Sequence, residues 1–202
     1  MKKKNGVPVE FPTVEQLEAE LKREKRSRSR RFFWKGMFAI VVLAAVAAIA
    51  VAFIWMPVLH INGNSMAPAL QDGDMVIAYA DEEVQRGDII AFYYNNKILV
   101  KRVIAVSGDE INVDLLGNVD LNGERLQEDY VSNKAQGECD VSMPYRVPSG
   151  FVFVMSDRRS DSLDSRSTAI GCVAKEQILG RVFAQIWPLE ELRWIGRKPL
   201  FE

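Results

Sequence analysis

The hydrophobic pattern of the chain changes at two places and divides it into three segments. Residues 1–35 are polar nearly all round, residues 36–58 are almost wholly apolar, and residues 59–202 carry short apolar runs separated by turns. A long apolar run is typical of a helix, and short β-branched runs between turn formers are typical of strands. We therefore predict a polar N-terminal segment at 1–35, an apolar helix at 36–58 and a β-rich domain at 59–202.

The apolar run from Gly36 to Leu59 contains no charged residue. About 20 apolar residues are enough for a helix to cross a bilayer. Trp34 and Trp55 lie near its two ends, where interfacial aromatic residues are common. A cleaved signal peptide would begin closer to Met1, and a buried core helix would contain more polar residues. We predict one uncleaved transmembrane anchor.

Charge is divided unevenly on the two sides of this anchor. Residues 1–35 hold 11 Lys and Arg against 5 Asp and Glu, whereas the rest of the chain holds 15 against 22. The basic flank Lys22–Lys35 directly precedes the anchor, and such flanks stay on the cytoplasmic side of a membrane. We expect a single-pass cell-membrane protein whose N-terminus is cytoplasmic and whose residues 59–202 are extracytoplasmic.

Six short runs rich in Val, Ile and Phe follow the anchor and predict strands. They are Met75–Ala80, Asp88–Tyr94, Ile98–Val106, Glu110–Asp114, Phe151–Ser156 and Gly180–Trp187. Gly-Asp and Asn-Gly pairs between them are turn formers. The segment Gln127–Val147 interrupts the pattern and is expected to be a longer excursion. Strand–helix alternation, a phosphate loop and repeats are missing from the sequence, so the predicted fold class is all-β with antiparallel sheets.

A serine in the stretch GNSMAPAL, Ser65, is the first candidate for chemistry. A serine hydroxyl is a poor nucleophile until a base takes its proton. The one histidine, His60, lies five residues earlier on what we expect to be the same extended segment, so it cannot easily turn onto Ser65 Oγ. Lys101, in the stretch LVKRVIAVSGD, is the better candidate for the base.

Four sequence boxes in this order resemble those of bacterial-type signal peptidase I, a family of membrane-anchored serine proteases with a Ser-Lys dyad. The boxes are GNSMAPAL at Gly63–Leu70, RGDIIAF at Arg86–Phe92, LVKRVIAVSGD at Leu99–Asp109 and SDRRSDSLDSR at Ser156–Arg166. One box alone is a weak signal, whereas four in order behind an apolar anchor are specific. The resemblance implies an all-β, antiparallel β-sheet catalytic domain preceded by one N-terminal transmembrane helix.

The resemblance also implies roles for individual residues. Ser65 matches the nucleophile, its backbone N–H matches the common oxyanion donor, and Lys101 matches the general base. Ser162 matches the serine that orients the lysine. Since only a neutral amine can accept a proton, burial must lower the lysine pKa from its reference of about 10.4. Strand alternation places Leu99 on the face of Lys101 and Arg102 on the other face.

Charged positions in the last box match residues that hold the family's active-site scaffold. We expect Asp157 to pair with Arg102 and Asp164 to pair with Arg166. Without the resemblance, the aspartates near Asp161 could suggest a cation site, but their spacing lacks the glycine and terminal glutamate of a calcium loop. We predict neither a metal nor a cofactor.

Three positions depart from the family's usual pattern. Gly63 stands where some members have a serine that adds to the oxyanion hole, so backbone amides with Asn64 nearby must serve here. Ala69 replaces a usual threonine, and Ser156 opens the last box in place of the common glycine. These departures bear on rate and loop geometry, whereas the dyad residues are intact.

The resemblance implies that the substrates are signal peptides of exported preproteins, cut after a small residue with another small residue two positions earlier (Ala-x-Ala). Shallow apolar pockets would give this preference. The predicted lining consists of Leu59, Ile61, Met66, Leu99 and Val100. Other expected partners are the lipid bilayer and, transiently, the secretion translocon; no nucleic acid is expected.

Two other function classes share parts of this pattern. A self-cleaving regulator of the repressor type would use related Ser-Lys chemistry, but the anchor and the lack of a helix-turn-helix pattern oppose it. A catalytically silent module for surface-protein export would be marked by loss of Ser65 or Lys101, and both are present.

The remaining features concern the cysteines and the C-terminal end. Cys139 and Cys172 are the only cysteines, which argues against a disulfide-rich scaffold; we favour free or buried thiols. The segment Trp187–Glu202 is too short and too charged for a second membrane span. We expect Trp187–Trp194 to touch the bilayer surface.

Overall fold

The computed structural model describes residues 14–80, 83–160 and 163–201. The chain divides into two compact units, Met1–Ala52 and Phe53–Glu202. Each unit has its own kind of structure, one helical and one built from strands.

A single long helix, α1, spans Val14–Trp55. Its segment Phe32–Val51 has a mean hydropathy of 2.2 and is not buried by other parts of the protein. Among the described residues, α1 is the one helix with the length and apolar composition to cross a membrane. The described part of the polar segment, from Val14 onwards, and the apolar run therefore belong to one helix rather than to two elements. The helix ends two residues before Pro57, which cannot donate a backbone hydrogen bond.

In the described residues, the second unit is built from twelve strands and two short 3₁₀ helices. The strands are β1 Val58–His60, β2 Met75–Tyr79, β3 Ile89–Tyr94, β4 Lys97–Val106, β5 Glu110–Val113, β6 Val119–Leu121, β7 Glu124–Arg125, β8 Tyr145–Arg146, β9 Phe151–Met155, β10 Val173–Ala174, β11 Ile178–Trp187 and β12 Arg193–Trp194. The 3₁₀ helices are Lys175–Gln177 and Leu189–Glu191.

These strands form two sheets in which the neighbouring strands are antiparallel. The larger sheet has the order β1-β2-β11-β3-β4-β9-β10, with β12 beside β11. The smaller sheet has the order β7-β6-β5-β8. One buried cluster joins the sheets, since Ile111 and Leu121 of the smaller sheet pack with Ile104 and Phe153 of the larger. The all-β fold class is therefore confirmed.

The six predicted strands are all present, with ends that differ by two residues or fewer. The other six strands are only two or three residues long and were not predicted. A run of two residues has no measurable alternation, so sequence periodicity cannot find it. Within the predicted excursion Gln127–Val147, the described strand is the two-residue β8.

Candidate active site

A hairpin of two long strands positions Lys101. Asn95 and Asn96 connect β3 to β4 with φ angles of 44° and 62°, the left-handed values that a two-residue hairpin turn requires. The resulting register sets Lys101 opposite Ile90 and Leu99 opposite Phe92. Residues directly opposite share a face of the sheet, so Lys101 lies on an apolar face.

Ser65 lies in a turn beyond β1 that is fixed from two sides. The Asp72 carboxylate accepts the Gly63 N–H at 2.6 Å, and the Asn64 side-chain oxygen accepts the Asp72 N–H at 3.1 Å. From the loop after β9, the Arg158 N–H donates to the Ser65 carbonyl at 3.0 Å. Ser65 is thus held between its own loop and the last sequence box.

The side chains of Ser65 and Lys101 are in contact. Lys101 Nζ lies 3.0 Å from Ser65 Oγ, and Lys101 is only 4% exposed. Burial lowers the pKa of Lys101 from 10.5 to about 8, while Asp164 and Asp157 raise it and Arg166 lowers it further. Burial has the largest effect because it penalises the ammonium form. A neutral amine hydrogen-bonded to a hydroxyl can accept the proton of that hydroxyl.

The predicted pairing partners in the last box are in contact. The Arg102 guanidinium donates to both oxygens of Asp157, at 2.8 and 2.6 Å. The Arg166 guanidinium donates to Asp164 at 2.9 and 2.8 Å. All four residues are almost fully buried. Both pairs are bidentate, a geometry that fixes orientation as well as charge.

A third buried pair was missed by the sequence analysis. Arg159 donates to Glu128, and the Tyr130 hydroxyl also donates to Glu128 Oε1, at 3.1 Å. The central carbon of the Arg102 guanidinium lies 4.3 Å from the centre of the Tyr130 ring. Tyr130 therefore connects the Arg159–Glu128 pair to the Arg102–Asp157 pair. Burial raises the pKa of Tyr130. Glu128 lies in the excursion, where no pattern signals a buried carboxylate, although Arg159 stood inside a recognised box.

A crevice of about 590 Å³ opens beside the two side chains. The five residues predicted to line a pocket all line it, together with both dyad candidates. The lining consists of residues 58–62, Ser65, Met66 and residues 96–101. One wall is thus β1 with the residues after it, and the other is the first half of β4. Sequence reasoning missed the lining residues Val58, His60, Asn62 and 96–98, although four of these, Val58, His60, Asn62 and Ile98, are next to predicted lining residues.

The β4 wall presents an open strand edge. Its other edge is paired with β3 along the whole hairpin, whereas β9 pairs with β4 only from Arg102 onwards. Within the described ranges, residues 97–101 therefore have no partner strand on the β9 side. An unpaired edge can accept an extended peptide.

Four further predictions concern the oxyanion donor, the lysine-orienting serine, the cysteines and metal ligands. Within the described ranges, no hydrogen bond uses the Ser65 N–H, which is the predicted oxyanion donor. Ser162 lies outside the residues that the structure describes. Cys139 and Cys172 are free and half-buried. Among the described side chains, no group of three or more His, Cys, Asp or Glu is placed to hold a metal ion.

Comparison with known proteins assigns this arrangement to a family. The family model described as signal peptidase, peptidase S26, matches residues 33–187. Signal peptidase I of Bacillus licheniformis is 31% identical over 185 residues, which cover 84% of this chain and 97% of that protein. Signal peptidase I of Bacillus caldolyticus is 33% identical over 187 residues, covering 84% and 96%.

A solved signal peptidase I from Enterococcus faecalis V583 is also similar, with 29% identity and a TM-score of 0.42, covering 49% of this chain and 96% of that one. The family match includes Ser65, Lys101 and the crevice beside them. The chain belongs to the peptidase S26 family of signal peptidases.

Proposed function

We propose that this protein is a signal peptidase I that uses Ser65 as nucleophile and Lys101 as general base to remove signal peptides from exported preproteins. The observation that carries the proposal is the 3.0 Å contact between Lys101 Nζ and Ser65 Oγ, made where the lysine is buried. A buried amine with a pKa of about 8 has the lone pair that a base requires near neutral pH. The names of the relatives supply the substrate class.

The reaction begins with neutral Lys101. Its Nζ takes the Ser65 hydroxyl proton while Ser65 Oγ attacks the carbonyl carbon of the scissile bond. The Ser65 N–H donates to the carbonyl oxygen as negative charge develops there. Lys101 then gives its proton to the leaving amine, which departs with the mature protein.

The acyl-enzyme left behind is an ester between Ser65 and the signal peptide. Lys101, neutral again, takes a proton from a water molecule that attacks the ester carbonyl. The ester bond breaks, the proton returns to Ser65 Oγ, and the signal peptide leaves with a free carboxylate. Ser162 is proposed to orient the lysine, and the two ion pairs of Arg102 and Arg166 hold the strand and loop that carry the site.

The crevice also supports the preference for small residues. An extended substrate added to the open edge at 97–101 would place every second side chain on one face. The residue before the scissile bond and the residue two positions earlier would then both face the apolar lining. Leu59, Ile61 and Met66 are buried and line the crevice. Their side chains are proposed to form the floor of shallow pockets with which a large substrate side chain would clash. Ala-x-Ala substrates fit this arrangement.

Helix α1 is proposed as the anchor that keeps the enzyme at the membrane, with the basic end in the cytoplasm and the β domain outside. Because the anchor and the β domain are parts of one chain, the anchor would raise the effective concentration of the domain at membrane-bound substrates. Four apolar side chains near the C-terminal end are half or more exposed and are proposed to touch the bilayer. They are Trp187, Leu189, Leu192 and Trp194. Transient contact with the secretion translocon is also proposed, because the proposed substrates are exported preproteins.

The proposal is tested with full-length protein in detergent micelles and a preprotein that carries an Ala-x-Ala site. We expect Ser65→Ala and Lys101→Ala to abolish cleavage. Ser132→Ala and Lys134→Ala are the matched controls, since both residues are exposed and outside the crevice. If folded wild-type protein cleaves none of several such preproteins, the function is that of the silent export module instead.

A further inference from the structure

Lys97 places a second lysine side chain in the crevice, at the end away from the dyad. The residue is exposed and belongs to the β4 wall, which ends at Lys101 beside Ser65. Because an extended strand rises roughly 3.3 Å per residue, Lys97 lies about 13 Å from Lys101 along β4. Lys97 is therefore too far from the dyad to act on the reacting atoms, but it lies in the same crevice.

The end of the hairpin that carries Lys97 is held in place. Tyr94 is directly opposite Lys97, and the Tyr94 hydroxyl donates to the Ala169 carbonyl at 2.8 Å. Tyr94 also packs against the buried cluster that contains Phe92. The residues that line the crevice, all of them described, include no Asp or Glu. An ammonium is thus presented to the crevice from a fixed strand, and none of the lining residues carries a carboxylate that could pair with it.

The direction of the two walls decides which part of a substrate passes Lys97. Residue numbers rise toward the dyad on both walls, from Val58 to Asn62 and from Lys97 to Lys101. In the proposed binding mode, the substrate residues just before the scissile bond lie in the crevice, so the chain N-terminal to them continues along β4 toward Lys97. Four residues of β4 correspond to roughly four residues of an extended substrate beside it. A long, flexible lysine side chain therefore reaches positions about four to six residues before the scissile bond.

We propose that Lys97 recognises an acidic side chain in the signal peptide, roughly four to six residues before the scissile bond, and so determines which preproteins are cleaved fastest. The inference rests on the proposed function, because it assigns a substrate preference to the same crevice. The Lys97 ammonium attracts a substrate carboxylate and repels a substrate lysine or arginine. Lys97 takes no part in the proton transfers. It is a specificity-determining residue that acts on substrate binding.

The test measures steady-state cleavage by full-length enzyme in detergent, with preproteins that share one Ala-x-Ala site. Each of the three positions is occupied in turn by Asp, Asn or Lys. At the best position we expect kcat/KM to be about two- to fivefold higher with Asp than with Asn, the range of an exposed ion pair, and lower with Lys. The change should lie in KM, with kcat unchanged. It should shrink as salt is raised from about 0.05 to 1 M, because salt screens exposed charges.

Variants at Lys97 separate recognition from a structural role. Lys97→Glu should reverse the preference, so that the preprotein with Lys is cleaved faster than the one with Asp, and Lys97→Met should remove it. A merely structural role would lower all the rates alike and reverse nothing. Lys134→Glu is the matched control, since it makes the same change of charge at an exposed lysine outside the crevice. That variant should keep the wild-type preference.

The inference is overturned if wild-type enzyme cleaves the Asp, Asn and Lys preproteins equally, or if Lys97→Glu keeps the wild-type order. Either result leaves the proposed function intact when Ser65→Ala and Lys101→Ala are inactive. Binding of the same preproteins to Ser65→Ala provides a readout without cleavage, and its Kd values should follow the same order and reverse when Lys97→Glu is added. Cleavage that survives in Ser65→Ala and Lys101→Ala would instead overturn the proposed function.

Discussion

Lys101 and Arg102 are neighbours on β4, and both are buried, but their surroundings differ. Arg102 makes a bidentate contact with Asp157 and lies against the ring of Tyr130. Lys101 has the neutral hydroxyl of Ser65 as its partner and lies on an apolar face. Alternation along the strand separates the two side chains onto opposite faces. A carboxylate partner keeps the buried Arg102 charged. Among the described residues no carboxylate is hydrogen-bonded to Lys101 Nζ, so burial makes this amine a base.

The largest expected effect is on catalysis. We expect Lys101→Met to reduce cleavage of an Ala-x-Ala preprotein by about 10²–10⁴-fold, since this is the usual contribution of a general base. Initial rates at saturating and subsaturating substrate measure the loss. Lys134→Met, an exposed lysine outside the crevice, is the control and should cleave normally. Near-wild-type rates for folded Lys101→Met would contradict the role given to this amine.

The next effect concerns the paired cation. Arg102→Met leaves Asp157 buried without its partner, and breaking a buried pair in this way costs about 3–5 kcal/mol. Thermal unfolding in detergent should show a large fall in Tm. Adding Asp157→Leu to the same chain should restore much of the loss, because two apolar groups then replace the pair. A single variant as stable as wild type would show that the pair is not needed to hold β4.

Replacing Lys101 should increase stability, whereas replacing Arg102 should lower it. The folded-state pKa of about 8 lies below the unfolded value of 10.5, so the unfolded chain binds more protons between these values. Wild-type stability therefore gains from this group as pH rises from about 8 to 10.5. At pH 7 we expect Lys101→Met to be more stable than wild type by up to about 3 kcal/mol. The difference should shrink toward pH 10.5, and a variant that is less stable at pH 7 would contradict the cost of burying this amine.

The smallest effect is on specificity. Leu99 lies within the open edge at 97–101 and lines the crevice two residues from Lys101. Leu99→Ala should enlarge the pocket and improve cleavage of a preprotein with valine in place of one small residue, by roughly 1–3 kcal/mol in relative kcat/KM. Leu116→Ala, which changes an exposed side chain outside the crevice, should leave the preference as it is. An unchanged preference in both variants would exclude Leu99 from the pocket.

Much of the fold could be predicted because the long strands have a readable pattern. Runs such as Ile98–Val106 are rich in β-branched residues and bounded by turn formers, so their position was predicted to within two residues. The short strands β7, β8 and β10 have two residues each and exist because neighbouring strands bring them into register. Such strands are set by tertiary packing, which no local pattern records.

In the candidate site, too, some features could be predicted from local sequence and others depend on tertiary packing. The candidates Ser65 and Lys101 could be named from the boxes, but their 3.0 Å contact depends on folding across 36 positions of sequence. Glu128 was missed because its partner Arg159 lies 31 positions away and the intervening excursion has no periodicity. The departure at Ser156 was visible in the sequence, whereas the complete burial of this residue depends on the packing of the folded chain.

The most direct measurement of the contrast between the two cations is the pH dependence of kcat/KM for the wild-type full-length enzyme acting on an Ala-x-Ala preprotein. Because kcat/KM reports the pKa of the essential base in the free enzyme, the curve should rise about tenfold per pH unit at low pH. It should level off around the pKa of Lys101, about 8. A curve that is flat across this range, or that levels off only near 10.5, would contradict the conclusion that burial makes Lys101 the base.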